Sequence, residues 1–489
     1  MELTFLGHQT WLVSHNSSCV LIDPILKDGF GAEDINGIEI FPPRAIDLEN
    51  MPKPEVVILT HEHSDHFNIA SLNVLSRDIK IIVGAMMIES VVECLENLGF
   101  SVTRQLPNKP FQVGDLEFTL YSAAPDTVLW ESRVYQVYVN PVNKAEDSIF
   151  IAVDALISEE LKRYISSNFR AAPRLVAVSN NAQITPKGVS GSLDNLLLTD
   201  DSDDQASAVG LDILYELLVD YLAQMPQIEN ILICGNGFMK GYKEFGPFPF
   251  SNQKELAAIA QQLSRDVNIF GPYPGDSFSF VDGVLQEKTV PWIQLRKDRF
   301  KKLLSQQADF IASKKVIEIA SICGEFISET EAKQADEMIE NEMSKIATPL
   351  MLSSLGECAV EMVEYLENKL DSKRILFRFL NHNQTCRHQW VLDLNKACFL
   401  KDSTPSNEVL RRFPFGLECF AKDFYQMLLG EIQIWDMAGV AMRSWYVCEK
   451  LQSPIAFLYC YYGEQIQNNK TSKFYQNFTE KTMLVNNNK

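Results

Sequence analysis

The sequence predicts an α/β domain over residues 1–290, an α+β accessory domain over 291–467 and a polar tail over 468–489. Three observations support this division. Short apolar runs of strand length alternate with helix-like segments up to about residue 290. The character then changes to a long stretch rich in Ala, Glu, Lys and Leu. Finally, 489 residues exceed what one ordinary core accommodates.

The elements follow in chain order. Leu3–Leu6, Thr10–Val13 and Ser18–Ile22 form an opening meander of strands, with His15 and Asn16 at a hairpin turn. Val56–Leu59 is a buried strand, and the segment from Phe67 to Leu75 has helical character. Lys80–Val83 is a strand and Glu89–Leu98 an amphipathic helix. Phe111–Val113, Leu116–Tyr121 and Arg133–Val139 are strands, with a Gly114-Asp115 turn. Ile149–Val153 is a strand that runs into Asp154, and Ser158–Tyr164 is helical. Strands Leu175–Ser179 and Asn230–Cys234 flank the acidic connector 199–204 and a helix over Ala206–Gln224. In the second domain, helices are expected between Arg299 and Asn368 and strands at Ile375–Leu380, Gln389–Leu394 and Ala397–Leu400. A helix is expected at Leu417–Leu429, and the Asn-rich tail is expected to fray.

Bulk composition narrows the function. Hydrophobic residues make up 46% and charged residues 22%, which fits a folded globular chain. The net charge of −20 repels phosphate backbones and argues against a nucleic-acid partner. The ten cysteines are scattered without a C-x-x-C pair, as in reduced thiols of a cytoplasmic protein. The opening MELTFLGHQT lacks the pattern of a signal peptide, and no apolar run reaches bilayer-spanning length. The expected partner is therefore a small-molecule substrate. Homo-oligomerisation through the C-terminal domain is a further expectation.

Three of the seven histidines fall within six residues, His61-Glu62-His63-Ser64-Asp65-His66. The run follows an apolar strand, so the loop gathers imidazoles and a carboxylate around one point. Imidazole is the commonest protein metal ligand, and a carboxylate adds a hard anionic donor. Two cations held close together can share a hydroxide, lower its pKa and brace an oxyanion.

This H-x-H-x-D-H run, its strand–loop–helix setting and the opening Leu6-Gly7-His8-Gln9-Thr10 resemble the metallo-β-lactamase fold superfamily, in its lactonase-like and phospholipase D-like branch. The resemblance implies an αββα sandwich with two divalent metal ions at one edge, zinc or iron, with manganese as a further option. It implies His61 and His63 on one ion and Asp65 and His66 on the other. Asp154, closing the run Ile149-Phe150-Ile151-Ala152-Val153, takes the place of the family's bridging carboxylate. Asp65 and His8 are the catalytic candidates, and Asp23 is expected to support the metal loop.

The sequence departs from that pattern at two histidines, since none occurs from residue 67 to 381. Ser122-Ala123-Ala124-Pro125-Asp126 stands in the first place, with Asp126 as a substitute oxygen ligand or a turn residue. Ile233-Cys234-Gly235-Asn236-Gly237 stands in the second, with Cys234 or Asn236 near the metal or only a Gly-rich turn. Oxygen donors in place of imidazoles move the preference toward iron or manganese. A second, weaker similarity links Val178-to-Gln183, Phe245-to-Phe248 and Pro272-to-Asp276 to the metal-binding part of the CMP-N-acetylneuraminate hydroxylase family. That family carries a Rieske cluster with two Cys-x-His pairs, whereas Cys386-Arg387-His388 is a lone pair here. Trp435, Trp445 and Tyr446 read as core aromatics.

The first functional reading is a metal-dependent hydrolase that directs a metal-bound hydroxide at a small ester, lactone, amide or phosphodiester. The alternative is a non-haem di-iron oxygenase acting on a small metabolite. A degenerate metal-site binding protein is the third.

Overall fold

The computed structural model describes residues 1–31, 38–123, 133–179, 218–235, 237–239, 252–262, 266–313, 319–362, 373–437, 441–446, 454–464 and 470–487. Two sheets form the first domain. The eight-stranded sheet runs, in spatial order, Val284–Thr289, Asp276–Val281, Glu2–Gly7, Thr10–His15, Ser18–Ile22, Val56–Leu59, Lys80–Gly84 and Ser101–Gln105. The seven-stranded sheet runs Phe111–Val113, Leu116–Ser122, Tyr135–Pro141, Ile149–Ile151, Leu175–Ser179, Asn230–Cys234 and Asn268–Phe270.

The inner faces pack together. Phe5, Trp11, Val13, Ile22 and Ile58 of one sheet meet Phe118, Leu120, Val137, Ile151 and Ala177 of the other. The outer face of the first sheet is covered by helix Glu89–Asn97, and that of the second by helices Glu159–Ser166 and Gln253–Ala260. This is the expected αββα sandwich.

The parallel parts of the two sheets position the site. Ser18–Ile22, Val56–Leu59 and Lys80–Gly84 run parallel, as do Ile149–Ile151, Leu175–Ser179 and Asn230–Cys234. Parallel neighbours need crossover connections, so their C-terminal ends share one edge. Asp23, the 61–66 loop, Asp154, Ser179 and Gly235 follow or close those ends. Hydrogen bonds from Gly235 N–H to the His8 carbonyl (2.9 Å) and from Tyr135 N–H to the Thr60 carbonyl (3.3 Å) join the sheets there.

First-domain contacts continue past residue 290. Ile293–Leu295 pairs with Arg44–Ile46, and Phe300 and Leu303 pack on Phe41. The C-terminal domain is a five-stranded sheet in the order Cys398–Lys401, Cys386–Asp393, Arg374–Leu380, Phe415–Phe420 and Met442–Tyr446. Helices Glu329–Met351, Ala421–Leu429 and Pro454–Tyr459 pack on it. Among the described residues, no helix is long and apolar enough to cross a membrane.

Three expectations from the sequence are corrected. Leu417–Leu429 is a strand through Phe420 and a helix only from Ala421. That strand is central and buried on both faces, and such a continuous apolar run has no periodicity to separate it from a helix. The stretch read as a fraying tail contains helix Lys470–Asn487. Its Phe474, Tyr475 and Phe478 pack among the residues under the Glu89–Asn97 helix, where apolar contact outweighs the polar composition. The helix expected after the metal loop is shorter than read, Ile69–Leu72, started by Asn68 accepting from Ser71 N–H (2.8 Å). The acidic connector 199–204 and most of the Ala206–Gln224 segment lie outside the described residues; residues 218–224 are helical.

Candidate metal centre

A left-handed turn starts the site. Gly7 (φ +116°) and His8 (φ 53°) link strands Glu2–Gly7 and Thr10–His15. A Cβ on Gly7 would lie 2.7 Å from Ile40 Cγ2, so position 7 requires glycine on both backbone and packing grounds. Buried Arg44 fixes the turn by donating to the carbonyls of Leu6 (2.8 Å) and Ile25 (2.6 Å). Asp23 (φ 45°) and Val153 (φ 55°) also adopt positive φ, which is strained for a β-branched residue such as Val153. His8, Asp23 and Val153 thus carry or adjoin the site in left-handed backbone.

Asp23 organises the histidines. It is buried at the end of strand Ser18–Ile22. Its carboxylate accepts from Thr60 N–H (2.8 Å), Thr60 Oγ1 (2.6 Å) and His66 Nδ1 (2.7 Å). Thr60 Oγ1 also lies 3.0 Å from His61 Nδ1. A hydroxyl has one proton, and a carboxylate can only accept. The Thr60 proton therefore goes to Asp23, and His61 Nδ1 must donate to Thr60 Oγ1. That tautomer leaves His61 Nε2 with a bare lone pair. This nitrogen is buried and makes no hydrogen bond. Burial, with the neighbouring His66 and His63 rings, holds the His61 pKa well below the usual imidazole range.

Two compact donor groups form among the described residues. His61, His66 and Asp154 make one, and His8, Asp65 and His66 the other, with ligand atoms in each within 4.8 Å of one another. His66 Nε2 is shared, lying 2.8 Å from Asp154 Oδ2 and 3.5 Å from Asp65 Oδ2. His8 Nε2 reaches Asp65 Oδ2 at 3.0 Å. Burial opposes charge on His66, yet Asp65, Asp154 and Asp23 outweigh it and raise the pKa well above normal. Burial likewise opposes charge on Asp65, and His66 overrides it and holds the carboxyl well below its usual value. Three carboxylates around one imidazole form a site that demands positive charge.

Each candidate residue can now be placed. His61, Asp65, His66 and Asp154 converge, and His8 lies with them. His63 lies beside His61, ring centroids 4.4 Å apart, but outside both donor groups. Asp126, Asn236, and the segments 180–183 and 245–248 lie outside the described residues. Cys234 donates its thiol to the Val178 carbonyl (3.4 Å), burial pushes its pKa up, and it lies outside both donor groups. Cys386 and His388 belong to strand Cys386–Asp393, with His388 on Asp336, far in function from any cluster.

Four residues escaped the sequence reading. Gln9 and Ser179 both donate to Asp154 Oδ1, Ser179 at 2.7 Å. Glu62 and Arg133 form a buried ion pair behind the loop. Their types are unremarkable in sequence, and only the fold brings them together. Trp435, read as a core residue, packs against the C-terminal core and also lies on the His63 ring with centroids 4.5 Å apart.

Comparison with known proteins agrees with this geometry. Residues 2–139 match the family model described as a beta-lactamase superfamily domain. A UPF0173 metal-dependent hydrolase of Haloquadratum walsbyi is 27% identical over 123 residues, 25% of this chain and 44% of that protein. The chain spans 18% to 44% of the length of the curated relatives it matches. Among solved structures, an isothiocyanate hydrolase from Delia radicum gut bacteria aligns at TM-score 0.38 and 16% identity, covering 57% of this chain and 99% of that one. CmlA, a diiron β-hydroxylase from Streptomyces venezuelae, aligns at TM-score 0.37 and 13% identity, covering 59% and 54%. Residues 2–139 are thus similar to the beta-lactamase superfamily domain, in line with what the loop and opening motif imply.

Proposed function

We propose that this chain, built on a metallo-β-lactamase superfamily domain, is a metal-dependent hydrolase of small esters, lactones, amides or phosphodiesters. The observation that carries the reading is the bare, buried His61 Nε2, fixed in its tautomer by the Asp23–Thr60 relay and set beside Asp154 and His66. A ligating histidine whose other nitrogen is held through a carboxylate is the arrangement metal centres use.

The donor set fits a divalent ion. His61, His66 and Asp154 would hold one, and Asp65 and His8 offer donors for a second, because the single Nε2 lone pair of His66 serves one ion. Such ions supply a water acidic enough to attack at neutral pH. The protein supplies the rest. Asp23 orients His66 and, through Thr60, His61. Ser179 and Gln9 hold Asp154 by one oxygen and leave the other toward His66. Asp65 is the most exposed of the acids, with 21% of its side chain accessible, and buried His8 holds it at 3.0 Å.

One observation favours the oxygenase as second reading. With Cys234 held on Val178, the described donors are imidazole and carboxylate alone, a set that suits iron as well as zinc. Elemental analysis of aerobically purified protein, with an ester, lactone and phosphodiester panel, tests both. Zinc or manganese with turnover that His61→Ala abolishes is the expected result. Iron with reductant-dependent O2 uptake would replace the hydrolase by the oxygenase. Less than one metal per chain, with no activity, would leave a degenerate binding protein and overturn both.

A further inference from the structure

We propose that Trp435, from the C-terminal domain, is a positioning residue of the metal centre, so that the second domain completes the site carried by the first. The inference rests on the metal-centre reading above.

Three C-terminal segments meet the 61–67 loop. In the turn Ile434–Met437, the Trp435 ring lies 4.5 Å from the His63 ring, tilted by 51°. His63 in turn packs edge-on against His61, at 4.4 Å and 75°. The indole is backed on its other side by Tyr459, stacked at 4.8 Å and 28°. A Cβ on Gly463 would lie 2.7 Å from Trp435 Cζ2, so the chain beside the indole is kept bare to seat it. The Gly463 carbonyl accepts from Arg133 Nη2 (3.0 Å), and Arg133 pairs with Glu62 of the loop. Phe67, at the loop's end, packs on Tyr475 of the last helix with centroids 5.1 Å apart.

The physical consequence concerns freedom. A histidine on a loop samples several rotamers, and each must be given up when it is held for ligation. An indole fixed between Tyr459 and Gly463 leaves the His63 ring one place to lie, against His61. Positioning contacts of this kind change metal affinity by about tenfold or more when removed. The contact crosses some 370 residues of sequence and stands beside the Arg133–Gly463 and Phe67–Tyr475 contacts.

The test uses the full-length chain stripped of metal. Zinc affinity is measured by competition with a chromophoric chelator for wild type, Trp435→Phe and Trp435→Ala, and stability of the metal-free proteins by urea unfolding. Co2+ titration adds the quenching of tryptophan fluorescence. The expected result is about tenfold weaker zinc binding for Trp435→Ala, near-wild-type binding for Trp435→Phe, and loss of much of the Co2+ quench in Trp435→Phe. Unchanged affinity in folded Trp435→Ala would reduce the contact to packing and overturn the proposal. If Trp435→Ala does not fold, the fluorescence comparison decides: an equal Co2+ quench in wild type and Trp435→Phe refutes a seat at the centre. Wild type that binds no metal refutes the metal-centre reading itself, which separates that failure from failure of the Trp435 role.

Discussion

Asp23→Asn is the substitution that isolates the tautomer argument. The side chain keeps its shape, so packing at this buried position is preserved. The amide oxygen still accepts from Thr60 N–H, but an NH2 group replaces the oxygen that takes hydrogen bonds from Thr60 Oγ1 and His66 Nδ1. An NH2 donates, so both partners must reverse. His66 Nδ1 becomes the acceptor and its proton moves to Nε2. Thr60 Oγ1 turns its proton toward His61 Nδ1, which moves that ring's proton to Nε2 as well. Both metal-facing nitrogens then lose their lone pairs in the favoured tautomer. Disturbing such supports costs about 10- to 100-fold in metal affinity, or about 1.4–2.7 kcal/mol. Replacing charge-assisted hydrogen bonds by neutral ones costs folding stability of about 2 kcal/mol. Competition titration with a chelator gives the first number and urea unfolding of the metal-free protein the second. Wild-type affinity in a folded Asp23→Asn would refute the relay from Asp23 through Thr60 to His61.

Other perturbations reach other parts of the account. Arg133→Ala leaves the Glu62 carboxylate buried without its guanidinium and should cost about 3–5 kcal/mol in urea unfolding; a loss under 1 kcal/mol would show that the pair is dispensable. Gly7→Ala, strained at φ +116° and crowding Ile40, should destabilise by about 2 kcal/mol and weaken metal binding with it, as read by thermal melts with and without zinc. In the metal-free protein, the raised His66 pKa contributes stability that is complete below about pH 6.5 and is lost as pH rises through the folded value. The lowered pKa of Asp65 contributes stability present above about pH 4 and lost on acidification through its folded value. Melting temperature of chelator-treated protein should therefore fall as pH rises above about 6.5. Metal-loaded protein, whose ion replaces the proton, should not follow it; parallel curves would contradict the assignment of His66 as a ligand.

Local signals in the sequence carried the core of the site. The H-x-H-x-D-H loop, the strand end at Asp154 and the Leu6-Gly7-His8 turn are contiguous patterns, and each lies where strand periodicity places it. Asp23 was legible as a support because it closes a strand beside the loop, although its bonds run to side chains as well as to backbone. The rest depends on contacts between distant segments. Ser179 and Gln9 touch Asp154 from separate strands, and neither type signals a metal site. Trp435 looked like any buried aromatic, because sequence reports that a ring is apolar and not what it faces. The Phe415–Phe420 strand was hidden by burial on both faces, which removes the alternation that marks a half-exposed strand. The last helix was masked by its polar composition, since only three aromatics anchor it.

The central claim is that the 61–66 loop, Asp154 and His8 hold cations. Anomalous diffraction from crystals of the full-length protein, collected above and below the zinc and iron edges, tests it most directly. The account predicts a peak within bonding distance of His61 Nε2, His66 Nε2 and Asp154, and a second beside Asp65 and His8. Ordered histidines with no anomalous peak after growth in saturating metal would contradict it.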